Sequence, residues 1–225
     1  MIGCPTYSQS KRHNGNMQSN LLPLFPLQVV VFPRTQLPLH IFEERYKEMV
    51  GEAIRDKSEF GIVLAKEEGI VNAGCTVVVD DILKSHPDGR MDIMTRGIRR
   101  FEIVMLNQEK PYLRGEVAYF DDDEPDPAPA EVRVEALRLY HSWMEFEDKI
   151  PSNEPALNDA QLSFQLAQGI QDLDFLHFLL RTRSETLRLK KVAEFLAEYV
   201  PRQRMAASMK KLAPLNGHGT RGPEM

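Results

Sequence analysis

The sequence predicts an α+β protein in two parts, a compact curled β-barrel with one inserted helix and, after it, an α-helical bundle. Three observations carry this. Short β-branched and aromatic runs with turn signals between them fill residues 21–121. A single stretch of helical period interrupts them, and beyond residue 130 the apolar period turns helical and stays so.

The elements follow in order. Residues 1–20 are polar, with almost nothing to bury, and read as a disordered tail, with Met17 as a candidate alternative start. Strands are expected at Val29 to Phe32, Phe60 to Ala65, Thr76 to Leu83, Arg90 to Thr95, Arg100 to Leu106 and Tyr112 to Phe120. Pro87-Asp88-Gly89 is a turn, with proline presetting φ and glycine taking the left-handed position, so the flanking runs should pair as a hairpin. Ile41, Phe42, Arg45, Tyr46, Met49, Val50, Ala53 and Ile54 recur at three- and four-residue spacing, which predicts the inserted helix, ending near Lys57. Residues 122–130, an acidic run with alternate prolines, read as a solvated linker. In residues 131–211, Val132, Ala136, Leu139, Tyr140 and Trp143 form one helical stripe; further helices should open at Asn158, Leu173 and Ser184, the last weakened at Pro201. Residues 212–225 read as a flexible tail.

Bulk properties narrow the function. A net charge of -5 over 225 residues disfavours a wholesale nucleic-acid binder. Two distant cysteines, Cys4 and Cys75, fit a reducing compartment, the first residues lack an apolar signal core, and runs such as Phe175 to Leu180 are too short to span a bilayer. The expected location is cytoplasmic, with no membrane partner. The six histidines show no ligand spacing and G-x-S-x-G is absent, so no metal, cofactor or catalytic residue is expected. His177, in an apolar helix, reads as a packed, hydrogen-bonded core residue.

Two patterns carry a resemblance. The first runs from Leu22-Pro23-Leu24-Phe25-Pro26-Leu27 through Val29 to Pro33 and on to Leu37-Pro38-Leu39-His40-Ile41-Phe42, with Tyr46 beyond. The second is Gly74 and Thr76, then Asp88-Gly89-Arg90, then Gly97-Ile98-Arg99-Arg100-Phe101, with Ser184-Glu185-Thr186-Leu187-Arg188-Leu189 opening the last helix. Over Leu21 to Val200 their order and spacing resemble the N-terminal, substrate-binding domain of the Lon protease family. The resemblance implies a PUA-like pseudo-β-barrel followed by a helical bundle, and recognition of unfolded or tagged polypeptides. No glycine here is followed by lysine, so the G-x-x-x-x-G-K-[ST] phosphate loop is missing, and no serine-lysine peptidase is legible. The expectation is a stand-alone, non-enzymatic member without ATPase or peptidase, an adaptor in proteolysis or quality control whose partners are such polypeptides or a protease component, and which could self-associate.

Candidate contact residues follow. Phe32, Phe42, Tyr46 and Met49 are candidates for peptide binding, set against the plain reading that such spacing marks a buried face. Arg99 and Arg100, beside the Gly97 corner, are candidates for binding a carboxylate or phosphate, set against structural salt links. Arg181 to Lys211 holds nine basic residues against three acidic ones, which supports the competing expectation of an RNA-binding protein using barrel and helix.

Overall fold

The computed structural model describes residues 21–124, 126–151 and 154–212, so the tail assignments at 1–20 and 213–225, with Cys4 and the candidate start Met17, lie outside the described residues. Six strands come first, β1 (Leu22–Leu27), β2 (Gln36–Ile41), β3 (Phe60–Lys66), β4 (Gly69–Ser85), β5 (Met91–Asn107) and β6 (Arg114–Phe120), with α1 (Glu44–Asp56) between β2 and β3. Four helices follow, α2 (Ala130–Phe146), α3 (Leu162–Leu166), α4 (Leu173–Arg181) and α5 (Glu185–Leu212).

The long strand β5 organises the sheet. One edge pairs with β4; the other pairs with β2 along its first half and with β6 along its second. The order β2-β5-β4-β3-β1-β6 then closes through the β5–β6 pairing into a barrel, with β1 parallel to β3. Closure removes the free edges of every strand in the ring. Gly89, at φ 81, makes the β4–β5 turn.

Three expected strands differ. Val29 to Phe32 is a loop: Thr35 N–H donates to Phe32 O at 3.2 Å and Arg34 sits at φ 65, so the chain turns where Pro33 removes a ladder donor. Arg90 to Thr95 and Arg100 to Leu106 are one continuous strand, and Gly97 is no corner but an interior position of β5. Its lack of a Cβ has a definite cause, because a Cβ there would stand 2.1 Å from the Phe32 carbonyl oxygen. The β1–β2 loop rests on that glycine through Arg34 N–H to Gly97 O (2.7 Å) and Gly97 N–H to Thr35 O (2.9 Å).

The inserted helix α1 begins at Glu44, later than the apolar period suggested, since Ile41 still belongs to β2. It buries Tyr46, Met49, Val50 and Ala53 on the barrel. The residues between α2 and α3 hold no helix at Asn158; Asp159 instead accepts from Gln161 N–H at 2.7 Å. The acidic linker is exposed at most of its described positions but is tied down at points: Asp123 N–H donates to Arg183 O at 2.9 Å, and Glu124 accepts from the Ser184 hydroxyl at 2.9 Å. Pro201 lies inside α5, which runs through it. His177 is half-buried, its Nε2 without a partner among the described residues, and burial holds its pKa below the ordinary value. Cys75 lies in the core, where burial pushes its thiol up to about 12.

Candidate functional site

The sequence-derived candidates part company in three dimensions. Phe32, Tyr46 and Met49 are buried, at 3%, 7% and 0% exposure, while Phe42 is 59% exposed beside His40. The Tyr46 ring packs tilted against Phe25 at 4.1 Å, and Phe32 stacks against Phe164 at 4.5 Å. Only Phe42 of the four presents surface.

The arginine pair splits because successive residues of a strand point to opposite faces. Arg99 faces out, donating to Glu59 at 3.0 Å, with its guanidinium 3.7 Å above the Tyr119 ring. Arg100 faces in and is 2% exposed. It donates to Leu180 O (3.2 Å), Thr182 O (2.8 Å) and Asp122 (2.6 Å), so the carboxylate it receives is the chain's own and no seat for an outside anion remains. The basic stretch is likewise spent in part: Arg188 is buried, Arg183 pairs with Glu102, Lys191 with Glu194 and Arg202 with Glu198.

A groove that the sequence did not reveal runs along the helical part and meets the barrel at its first chamber. Its first chamber, about 610 Å³, lies between the β1–β2 loop (Pro33, Arg34, Thr35) and α2, α3 and the segment joining them. Tyr140, Trp143 and Phe164 supply aromatic wall, and Gln161, Gln165 and Gln168 supply amides. The second chamber, about 590 Å³, continues toward α4 and α5 with Phe195 and Tyr199 in its wall. Trp143, Lys149 and Gly169 line both, forming the waist. The Trp143 indole Nε1 is buried without a partner among the described residues.

Local chemistry sets each wall. Arg34 clamps the loop to the helical side with a fork onto Asp159 at 3.1 and 2.6 Å, and Gln165 holds the same carboxylate at 2.7 Å. At the end of α2, Asp148 N–H donates to Glu145 O and Lys149 N–H to Met144 O, with Asp148 at φ 52. This is a Schellman turn, and it folds the chain back so that the Lys149 ammonium lies 5.8 Å from the Trp143 ring centre. Glycine is the residue such a position favours. Asp148→Gly is therefore expected to raise stability by about 0.5–1 kcal/mol in a thermal melt.

Residues 21–201 match the family model of the ATP-dependent protease La (LON) substrate-binding domain. The chain belongs to this family. The Lon protease of Parabacteroides distasonis is 32% identical over 118 residues, 49% of this chain and 14% of that protein. The Lon protease of Cytophaga hutchinsonii is 28% identical over 187 residues, 78% of this chain and 22% of that protein. The chain thus spans less than a quarter of the length of these relatives. The crystal structure of the Lon N-terminal domain protein from Xanthomonas campestris superposes with a TM-score of 0.64 at 25% identity, covering 78% of this chain and 98% of that one. The N-terminal domain of the Mycobacterium avium complex Lon protease gives a TM-score of 0.64 at 15% identity, covering 79% and 98%, a likeness of fold.

Three of the residues that carried the LON resemblance, Arg100, Glu185 and Arg188, meet in one joint. Arg100 on β5 and Arg188 on α5 converge on Asp122, and Arg188 also meets Glu185 at 2.6 Å and the Ser163 hydroxyl at 2.9 Å. Phe164, a buried residue that lines the first chamber, has its ring 4.4 Å from the Arg188 guanidinium. The signature thus fixes barrel to helices directly behind the groove wall. Among the described residues no cluster of three or more His, Cys, Asp or Glu could hold a metal ion, and no helix is long and apolar enough to cross a membrane.

Proposed function

We propose that this LON substrate-binding domain is a non-enzymatic polypeptide-recognition module that takes an extended segment of another protein into the groove around Trp143, as an adaptor in proteolysis or quality control. The observation that carries the reading is that two chambers share the Trp143, Lys149 and Gly169 lining, the first of them bridging parts that the buried arginine joint holds in fixed relation. A groove of this size with aromatic walls supplies area without strict sequence choice, while side-chain amides can pair with a peptide backbone. An extended chain suits it better than a folded one, because main-chain groups of a folded protein are already paired.

Trp143 is the only tryptophan of the chain, so its emission reports on the groove directly. Titration with a reduced, alkylated polypeptide that cannot fold should change the emission saturably, and the same polypeptide in its native form should not. Ile150 stands 94% exposed at the rim, where Ile150→Ser should weaken the titration and leave the melting temperature unchanged. A flat titration, or an identical response to the native form, would count decisively against the reading.

A further inference from the structure

The second chamber differs from the first in charge. Glu147, Asp172 and Glu198 line it against Lys149 and Arg202. Arg202 is already taken by Glu198 at 2.8 Å. Around the waist, two groups converge on one ammonium and a third braces them. The Trp143 ring centre lies 5.8 Å from Lys149 Nζ, and Glu147 Oε2 lies 3.2 Å from it. Tyr199 donates from its hydroxyl to the other oxygen of Glu147 at 3.3 Å, holding the carboxylate in place, and its ring meets Trp143 edge-on at 6.3 Å.

A π-face beside an oriented carboxylate is a seat for a cation. The chain's own lysine occupies it, but its hold is slight. Lys149 has a half-exposed side chain, and ion pairs in that setting are weak. A cation brought by a ligand would meet the same ring and carboxylate, and Lys149 would swing into water at little cost.

We infer that the second chamber reads a basic side chain, lysine or arginine, of the bound polypeptide, and that Lys149 is the stand-in it displaces. The inference rests on the groove being the polypeptide site. It adds a charge preference: the chamber's acidic excess favours a basic segment and disfavours an acidic one.

The test uses the full chain and an apolar host peptide with one central lysine, alongside versions carrying acetyl-lysine or glutamate at that position, titrated by Trp143 emission. The lysine peptide should bind roughly tenfold tighter than the acetyl-lysine peptide, and the glutamate peptide weakest of all. Glu147→Gln should close the gap between the lysine and acetyl-lysine peptides. Lys149→Ala, which empties the seat, should widen it by tightening the lysine peptide alone; a lysine serving only as part of the wall would not give that result. Equal affinity for all three peptides, or a Lys149→Ala variant that weakens the lysine peptide, would overturn the inference while leaving the groove intact. Failure of every peptide to bind would overturn the groove reading and this inference together.

Discussion

Arg188→Met is expected to remove about 3–5 kcal/mol of folding stability, enough to lower the melting temperature of a protein this size by roughly 6–20 °C. Arg188 is wholly buried and makes six short contacts, two of them to Asp122 and two to Glu185. Methionine fills similar space, but it strips Glu185 of the Arg188 guanidinium and leaves Asp122 with that of Arg100 alone. Removing one partner of a buried pair costs far more than the intact pair contributes. The two carboxylates should then respond differently. Burial works to raise the Asp122 carboxyl, but the bonds and charges of Arg188 and Arg100 outweigh it and hold the group below its ordinary value. Burial of Glu185 prevails over its bonds to Ser163 and Arg188 and holds that carboxyl above its ordinary value. Asp122→Asn should therefore cost much more than Glu185→Gln. The pH dependence follows with opposite signs. The Asp122 contribution is present above the ordinary carboxylate range and is lost as pH falls through its lowered value, whereas that of Glu185 is present at low pH and fades as pH rises through its raised value. Each partly offsets the other in acid, so Glu185→Gln should steepen the loss of stability there. Equal costs for the two neutral variants in urea denaturation would contradict this account.

The same joint shows what the sequence could and could not disclose. The hairpin at Pro87-Asp88-Gly89 and the stripe Ala136, Tyr140, Trp143 were legible because turn chemistry and period are local, and both recur in the structure. Asp122 was not legible. It sits in an acidic, proline-rich run that looks solvated, and its partners lie 22 and 66 residues away. For the same reason the sequence left Arg100 open between an anion seat and a structural salt link, because the carboxylate that decides it comes from further along the chain. Val29 to Phe32 was misread for a different cause: β-branched residues mark burial as well as strands, and here Val31 and Phe32 are buried from a loop. The groove escaped because a helical stripe shows which residues turn inward, and not where the facing element stands off and leaves a gap. Trp143 belongs to such a stripe, yet it lines two chambers. The Schellman turn at Asp148, which marks the point where the chain doubles back over that ring, carries no glycine to announce it in the sequence.

Phe101→Ala should be comparably damaging, at about 3–5 kcal/mol, and its glycine neighbours allow the cause to be separated. The Phe101 ring is fully buried with Leu22, Leu24 and Val63, in a small cluster apart from the main core. It lies over two glycines: a Cβ at Gly61 or at Gly74 would each come 2.6 Å from its Cζ. At Gly61 the closest obstacles are all side-chain atoms, those of Phe101 and Leu24. At Gly74 the closest obstacle is backbone, the Ile62 carbonyl oxygen at 2.4 Å. Side chains can be shortened and a paired strand cannot readily step aside. Gly61→Ala alone should cost about 1–3 kcal/mol through overpacking, and Phe101→Leu should return a good part of that cost when the two are combined. The pair should thus be non-additive by about 1 kcal/mol or more in denaturant unfolding. Gly74→Ala should gain little from Phe101→Leu, because the clash with Ile62 persists. Were both glycine variants rescued to the same degree, the ring alone would explain the glycines. Were neither rescued, the β-ladder would, and Phe101 would be filling space that the backbone had already fixed.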